Sequence, residues 1–191
     1  DLAGNMSAVE SSDGITADLS APTAGLVNDG MGIDESFTAS ATTLEASWNS
    51  FADTTSGIQY YEYAVGTTTG GTDVSVGWVS VGANTSFSAT FTLSETVTYF
   101  VSVRATDNVN NVSELVTSNG ITTDFTGPQG TWVIDGDSID IDRQNFTDTY
   151  SGYWLHFIEE GSGFKTHEYA LFHNDNSQYV TSWTATLDTS S

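Results

Sequence analysis

Tyr99-Phe100-Val101-Ser102-Val103-Arg104-Ala105 is the stretch whose reading decides the fold. Tyr99, Val101, Val103 and Ala105 fall on every second position, so an extended chain turns all four to one face. The same period of two runs through Leu44-x-Ala46-x-Trp48, through Phe87-x-Ala89-x-Phe91-x-Leu93, and through Tyr61, Tyr63 and Val65 around Glu62. Clusters of Gly, Asn, Asp and Thr at residues 53–57, 66–72 and 107–111 separate these runs. Nothing between them carries a helical period. Short alternating strands divided by turn signals predict an antiparallel β-sandwich.

Working outward, the chain repeats itself. SSDGITADLSAP, Ser11 to Pro22, returns as TSNGITTDFTGP, Thr117 to Pro128, an offset of 106 residues. At that offset Asp1 falls on Asp107, Asn5 on Asn111, Asp29-Gly30 on Asp135-Gly136, Trp48 on Trp154, and Glu62-Tyr63-Ala64 on Glu168-Tyr169-Ala170. One residue is then lost, and Trp78 aligns with Trp183. The organisation is therefore the end of one module, with its last strand, in residues 1–20, a complete module in 21–126, and the first part of a third in 127–191. The two prolines, Pro22 and Pro128, mark the junctions, where each suits the entry to a first strand.

Leu44 four residues before Trp48, and Leu93 six before Tyr99, followed by Val101 and Val103, resemble the fibronectin type III module. Ile58, Tyr61, Tyr63 and Val65 are similar to that family's third strand, and Tyr99 resembles the tyrosine corner of β-sandwiches. With the repeat of about 106 residues, the resemblance implies tandem antiparallel β-sandwiches and a place in large extracellular adhesins or surface filaments. A module of this length implies a lengthened hairpin between residues 66 and 77. Val74 and Val76 there alternate in opposite parity to Val79 and Val81, which predicts a bulge or turn near Gly77-Trp78. In residues 127–191 the counterparts of Leu93, Tyr99, Val101 and Val103 are missing, so Trp154, Phe157 and Tyr169 are expected to face water. The natural polypeptide is accordingly expected to continue in both directions, or partner chains to supply the strands.

Composition narrows the function. The chain has 191 residues, 25 Asp and Glu against 3 Lys and Arg, and a formal net charge of −22. Arg104, Arg143 and Lys165 cannot neutralise a phosphate backbone, so nucleic acid and anionic membrane surfaces are excluded as partners. No apolar run reaches the ~20 residues of a membrane helix, so direct membrane insertion is not expected. With no cysteine there is no disulfide, thiolate site or cysteine nucleophile. The start at Asp1, without a basic and apolar leader, reads as mature or internal sequence.

No catalytic constellation emerges. His156, His167 and His173 take the places of Ser50, Tyr61 and Thr67 and read as ordinary strand and loop histidines. Glu159-Glu160 reads as a solvated loop rather than an acid–base pair, and Gly161-Ser162-Gly163 repeats the turn at Thr55-Ser56-Gly57, without the strand–elbow–helix setting of a nucleophile. Trp48 and Trp154 read as equivalent core positions, Trp78 and Trp183 as equivalent hairpin positions open to contact with a neighbour. Four Asn-x-Ser/Thr acceptors occur at Asn5, Asn84, Asn111 and Asn145; Asn5 and Asn111 occupy one position in successive copies and are the favoured pair.

The leading expectation is an extracellular or cell-surface, non-enzymatic stalk or filament segment. Its partners would be neighbouring modules of the same chain, other copies, or surface glycans. The alternative is a spacer or glycan-binding module of a secreted carbohydrate-active enzyme. The topology implied by the resemblance also gathers acids at the module junctions. Asp18 meets Asp53, Asp107 and Asn110 at the first, while Asp29, Asp34, Asp124, Glu159 and Glu160 meet at the second. Clustered carboxylates without basic neighbours either stay well solvated, the leading reading, which needs no cofactor, or share calcium, the one cofactor the sequence suggests.

Overall fold

A computed structural model describes residues 1–130, 132–136, 139–141, 149–155, 157–173 and 178–186. Its strands are β1 (Leu26–Asp29), β2 (Phe37–Thr38), β3 (Thr43–Asn49), β4 (Ile58–Gly66), β5 (Val79–Gly82), β6 (Ser86–Thr90), β7 (Thr98–Asp107), β8 (Val116–Thr117), β9 (Ile121–Thr123), β10 (Trp132–Asp135), β11 (Gly152–Leu155), β12 (His167–Tyr169), β13 (Phe172–His173), β14 (Gln178–Tyr179) and β15 (Thr184–Thr186). The described residues contain no helix, and so none that could cross a membrane. They form two compact units. Asp1–Asp34, Glu45–Ala89 and Tyr99–Gly120 make the first, and Glu35–Leu44, Thr90–Thr98 and Ile121–Ser191 the second.

In the first unit β1, β3 and β6 form one sheet, and β5, β4 and β7 lie side by side in another, with β8 on β7. This is the division of strands between two sheets found in immunoglobulin-like and fibronectin type III sandwiches. The alternation explains it. Ala46, Trp48, Tyr61, Tyr63, Val65, Phe87, Val101, Val103 and Ala105 are all buried, while Glu45 and Arg104, between them in sequence, are not. Aromatic contacts join the sheets: Trp48 meets Tyr61 edge-on at 5.8 Å, and Phe87 lies flat on Tyr63 at 3.8 Å between ring centroids. Outside, Arg104 donates to Glu62 at 2.9 Å and lies 4.3 Å from the centre of the Trp78 ring.

Serines complete the edge beside β7. Ser113 and Ser118 donate their backbone N–H to the carbonyls of Ala105 and Val101, and their hydroxyls accept the N–H of the same two residues. Side chains thus make ladder bonds where the backbone departs from ideal pairing.

In the second unit β2 runs parallel to β9, pairing Phe37 with Thr122 and Thr38 with Thr123. An all-antiparallel arrangement was expected. The chain leaves β1 through Gly30 and Gly32, both at positive φ, and re-enters pairing at Phe37 in the same direction as β9.

The repeat is visible in the hydrogen bonding. Strand β1 pairs with β3 as Leu26↔Asn49 and Val27↔Trp48; 106 residues on, β10 pairs with β11 as Trp132↔Leu155 and Val133↔Trp154. The bridge Thr23↔Ala52 returns as Gln129↔Ile158. Tyr63↔Val79 returns as Tyr169↔Thr184, with the second partner offset by 105. Thr181 bonds Leu171 as Ser75 bonds Val65. The lost residue therefore lies where Ser182 alone stands for Val76 and Gly77.

The turn expected near Gly77-Trp78 is present at residues 74–77: Val74 and Ser75 both donate to the Val65 carbonyl, and Gly77 donates to Thr72. A register shift also lies between Tyr61 and Glu62, further down the hairpin. Residues 1–20 hold no strand, because a strand needs a neighbour for its N–H and C=O groups. Ile15 is 98% exposed, whereas its counterpart Ile121 in β9 is 3% exposed.

Candidate functional site

Three loops build the site, each shaped by an aspartate that caps its own backbone. Asp53 Oδ1 accepts the N–H groups of Thr55, Ser56 and Gly57 at 3.1, 2.8 and 2.7 Å, closing the turn between β3 and β4. Asp107, at the end of β7, accepts Val109 N–H and Asn111 N–H on Oδ1 and the Asn111 amide on Oδ2. Asp18 accepts the N–H and hydroxyl of Ser20 on Oδ1, each at 3.0 Å. The Asn111 amide also donates to the carbonyls of Asp18 and Ser20, tying the loop after β7 to the junction segment.

One carboxylate oxygen from each of Asp18, Asp53 and Asp107 lies within 4.8 Å of the others, with Asp18 and Asp107 buried and Asp53 half-buried. Ser56 faces Asp18 and, with the Ser20 N–H, holds its carboxyl below the ordinary value. Burial pushes Asp107 up, but hydrogen bonds from Asn111 and Val109 outweigh it and leave it lowered. In all three caps a carboxylate oxygen is the acceptor. Oδ2 of Asp18 is shut off from solvent without completing a hydrogen bond, as is the Ser56 hydroxyl.

The second junction repeats the pattern in part. Asp124, at Asp18's position, accepts Ser162 N–H at 2.6 Å, and its Oδ1 is buried without a hydrogen bond. Ser162 is the chief influence lowering the Asp124 carboxyl, and Glu159, at Asp53's position, adds to it. Glu159 also accepts Gly161 N–H at 2.8 Å, and Glu160 is exposed. Asp29 and Asp34 are engaged elsewhere. Asp34 accepts Asp29 N–H and the Asn119 amide, and Asp29, wholly buried, accepts Gly120 N–H. The bond from Asp29 N–H to the Asp34 carboxylate was not legible, since the acids were placed by pole and not by loop.

Asn84 is exposed on the turn between β5 and β6. Asn5 donates to Asp1 at 2.9 Å and Asn111 is engaged as described, while Asn145 lies outside the described residues. The His167 ring lies against Phe157 and Phe164, at 5.4 and 5.0 Å between centroids; His156 lies outside the described residues.

A 670 Å³ cavity in the second unit is lined by Val133, Trp154, Tyr169 and Leu171 among others. These are the counterparts of Val27, Trp48, Tyr63 and Val65, which are buried in the first unit. Tyr63 is 5% exposed beneath Phe87; Tyr169 is 42% exposed.

No protein-family model matches the chain, and no curated protein matches it. Among solved structures it is similar to the FN1–FN3 domains of chicken CNTN1, at 13% identity and a TM-score of 0.37. The match covers 78% of this chain and 59% of that one.

Proposed function

We propose that this chain is a non-enzymatic segment of an extracellular or cell-surface structural protein, a stalk or filament of tandem β-sandwiches resembling fibronectin type III modules. The observation that carries the reading is the repetition of the junction. The downstream linker is held on both sides: Glu95 accepts the N–H groups of Phe125 and Thr126 and the Thr126 hydroxyl, while Asp124 accepts Ser162 N–H. Asp18 faces Ser56 in the same way one repeat earlier. A linker bonded to the loops on either side transmits orientation from one copy to the next, which suits a spacer under load and serves no catalytic purpose. Its partners are further copies of the module. The test is immunogold labelling of source cells with antibody raised against the chain. Labelling of extracellular appendages or the cell surface is expected, and labelling confined to the cytoplasm overturns the reading.

A further inference from the structure

We propose that Asn119-Gly120 is a spontaneous deamidation site that the fold holds closed, with Asp29 and Asp34 each tying down one of its two reacting atoms. It is the one Asn-Gly pair in the chain. A glycine after asparagine puts no side chain in the way of ring closure, so such a pair loses ammonia most readily. In that reaction the Gly120 nitrogen gives up its proton and attacks the Asn119 side-chain carbonyl carbon. The new N–C bond forms, the bond from that carbon to Nδ2 breaks, and ammonia leaves with the proton. Water then opens the succinimide at either carbonyl, leaving an aspartyl or isoaspartyl residue. Water is the only co-reactant, and nothing is oxidised or reduced.

The two atoms that must meet are each bonded elsewhere. Gly120 N–H donates to Asp29 Oδ2 at 2.9 Å, and Asn119 Nδ2 donates to Asp34 Oδ2 at 2.9 Å. Asp34 Oδ1 accepts the N–H of Asp29 at 3.0 Å, which fixes the second acid to the residue that carries the first. Bonds to carboxylates are the strong ones, and the Asp29 charge disfavours the anionic nitrogen that attack requires. Asp29 is wholly buried, so water does not compete for the Gly120 N–H. The next residue, Ile121 in β9, is 3% exposed, so the glycine backbone cannot swing toward Asn119 without drawing a core side chain out. Burial of the asparagine gives no such protection, since Asn119 is exposed. The acid pair itself recurs: Asp135 N–H donates to Asp140 Oδ1 at 3.2 Å one repeat later. Reactivity is thus tied to folding. A chain held unfolded loses the amide, and the carboxylate left at position 119 faces Asp34 with no donor between them, so the clasp does not re-form. The site stands on these residues whatever larger structure the chain belongs to.

The chain is incubated well above pH 6, where Asp29 is charged, in buffer below its melting temperature and in parallel in concentrated guanidinium chloride. Peptide mass spectrometry follows the replacement of NH₂ by OH at Asn119. Loss in the folded chain is expected to be at least about tenfold slower than in denaturant. Asp34→Ala should speed the folded chain's loss several-fold, at a temperature where its melting curve shows it folded, while exposed Asp13→Ala should leave the rate unchanged. Asn119→Asp, which installs one product of the reaction, should melt below the wild type at neutral pH. Equal rates in the folded and unfolded chains overturn the proposal, as does an unchanged rate in Asp34→Ala or an Asn119→Asp chain as stable as the wild type. Faster loss in the folded chain also overturns it, because Asp29 would then be the base of a self-modification.

Discussion

Asp29 is wholly buried, and burial lifts its carboxyl to about 6 from an ordinary 3.8, against the hydrogen bonds from Ser118 and Gly120 that lower it and with Asp34 adding to the rise. Its folded pKa stands above its unfolded one, so the folded state holds a proton between about pH 4 and 6 that the unfolded chain has released. Stability therefore rises as pH falls from 7 toward 4, by about 2 kcal/mol once the nearness of solvent is allowed for. Below that range the lowered carboxyls, Asp18, Asp73, Glu95, Asp107 and Asp124, reverse the trend, because protonating them removes acceptors the fold uses. Thermal melting across pH should show a maximum between about 4 and 6. Asp29→Asn should raise the melting temperature at pH 7 and remove the rise on acidification. A variant that keeps the wild-type slope would assign it to another group.

At the scale of elements, the hairpin from β4 to β5 carries a strained position. Val76 has φ +56° and is 91% exposed, so a β-branched residue holds a left-handed conformation without burial in return. Such a residue costs of the order of 1–3 kcal/mol, part of which glycine returns to the unfolded chain as entropy. Val76→Gly is expected to stabilise the chain by about 1 kcal/mol, read by denaturant unfolding. A loss of stability would mean that the Val76 side chain packs in solution. The residue deleted from the next copy falls at this same point, where Ser182 alone connects Thr181 to Trp183.

For the whole molecule the dominant fact is charge. With a net charge of −22, the folded chain repels itself over distances that salt can screen. Raising NaCl from about 10 to about 150 mM shortens the screening length from about 30 to about 8 Å, and in chelator this should raise the melting temperature. A flat or falling response would show that the acids are already neutralised locally.

The sequence by itself determined whatever closes within a few residues. Asp1 to Asn5 folds into the same loop as Asp107 to Asn111: each aspartate accepts the N–H groups two and four residues on, and each asparagine amide returns to its aspartate. The first copy does this with no strand beside it, since every partner lies within five residues. Alternation likewise marked β3, β4 and β7, because the period of two is a property of the extended chain itself. Only the tertiary structure decided what depends on distant partners. Gly-Ile-Thr is exposed at Ile15 and buried at Ile121, because only the second copy has strands to join. The parallel pairing of β2 with β9 and the bond from Asp29 N–H to Asp34 belong to the same class, whereas the grouping of Asp18, Asp53 and Asp107 already followed from the topology the resemblance implies. Which acids share a loop and which share a cluster depends on where turns tens of residues apart come to rest, and no local spacing encodes that.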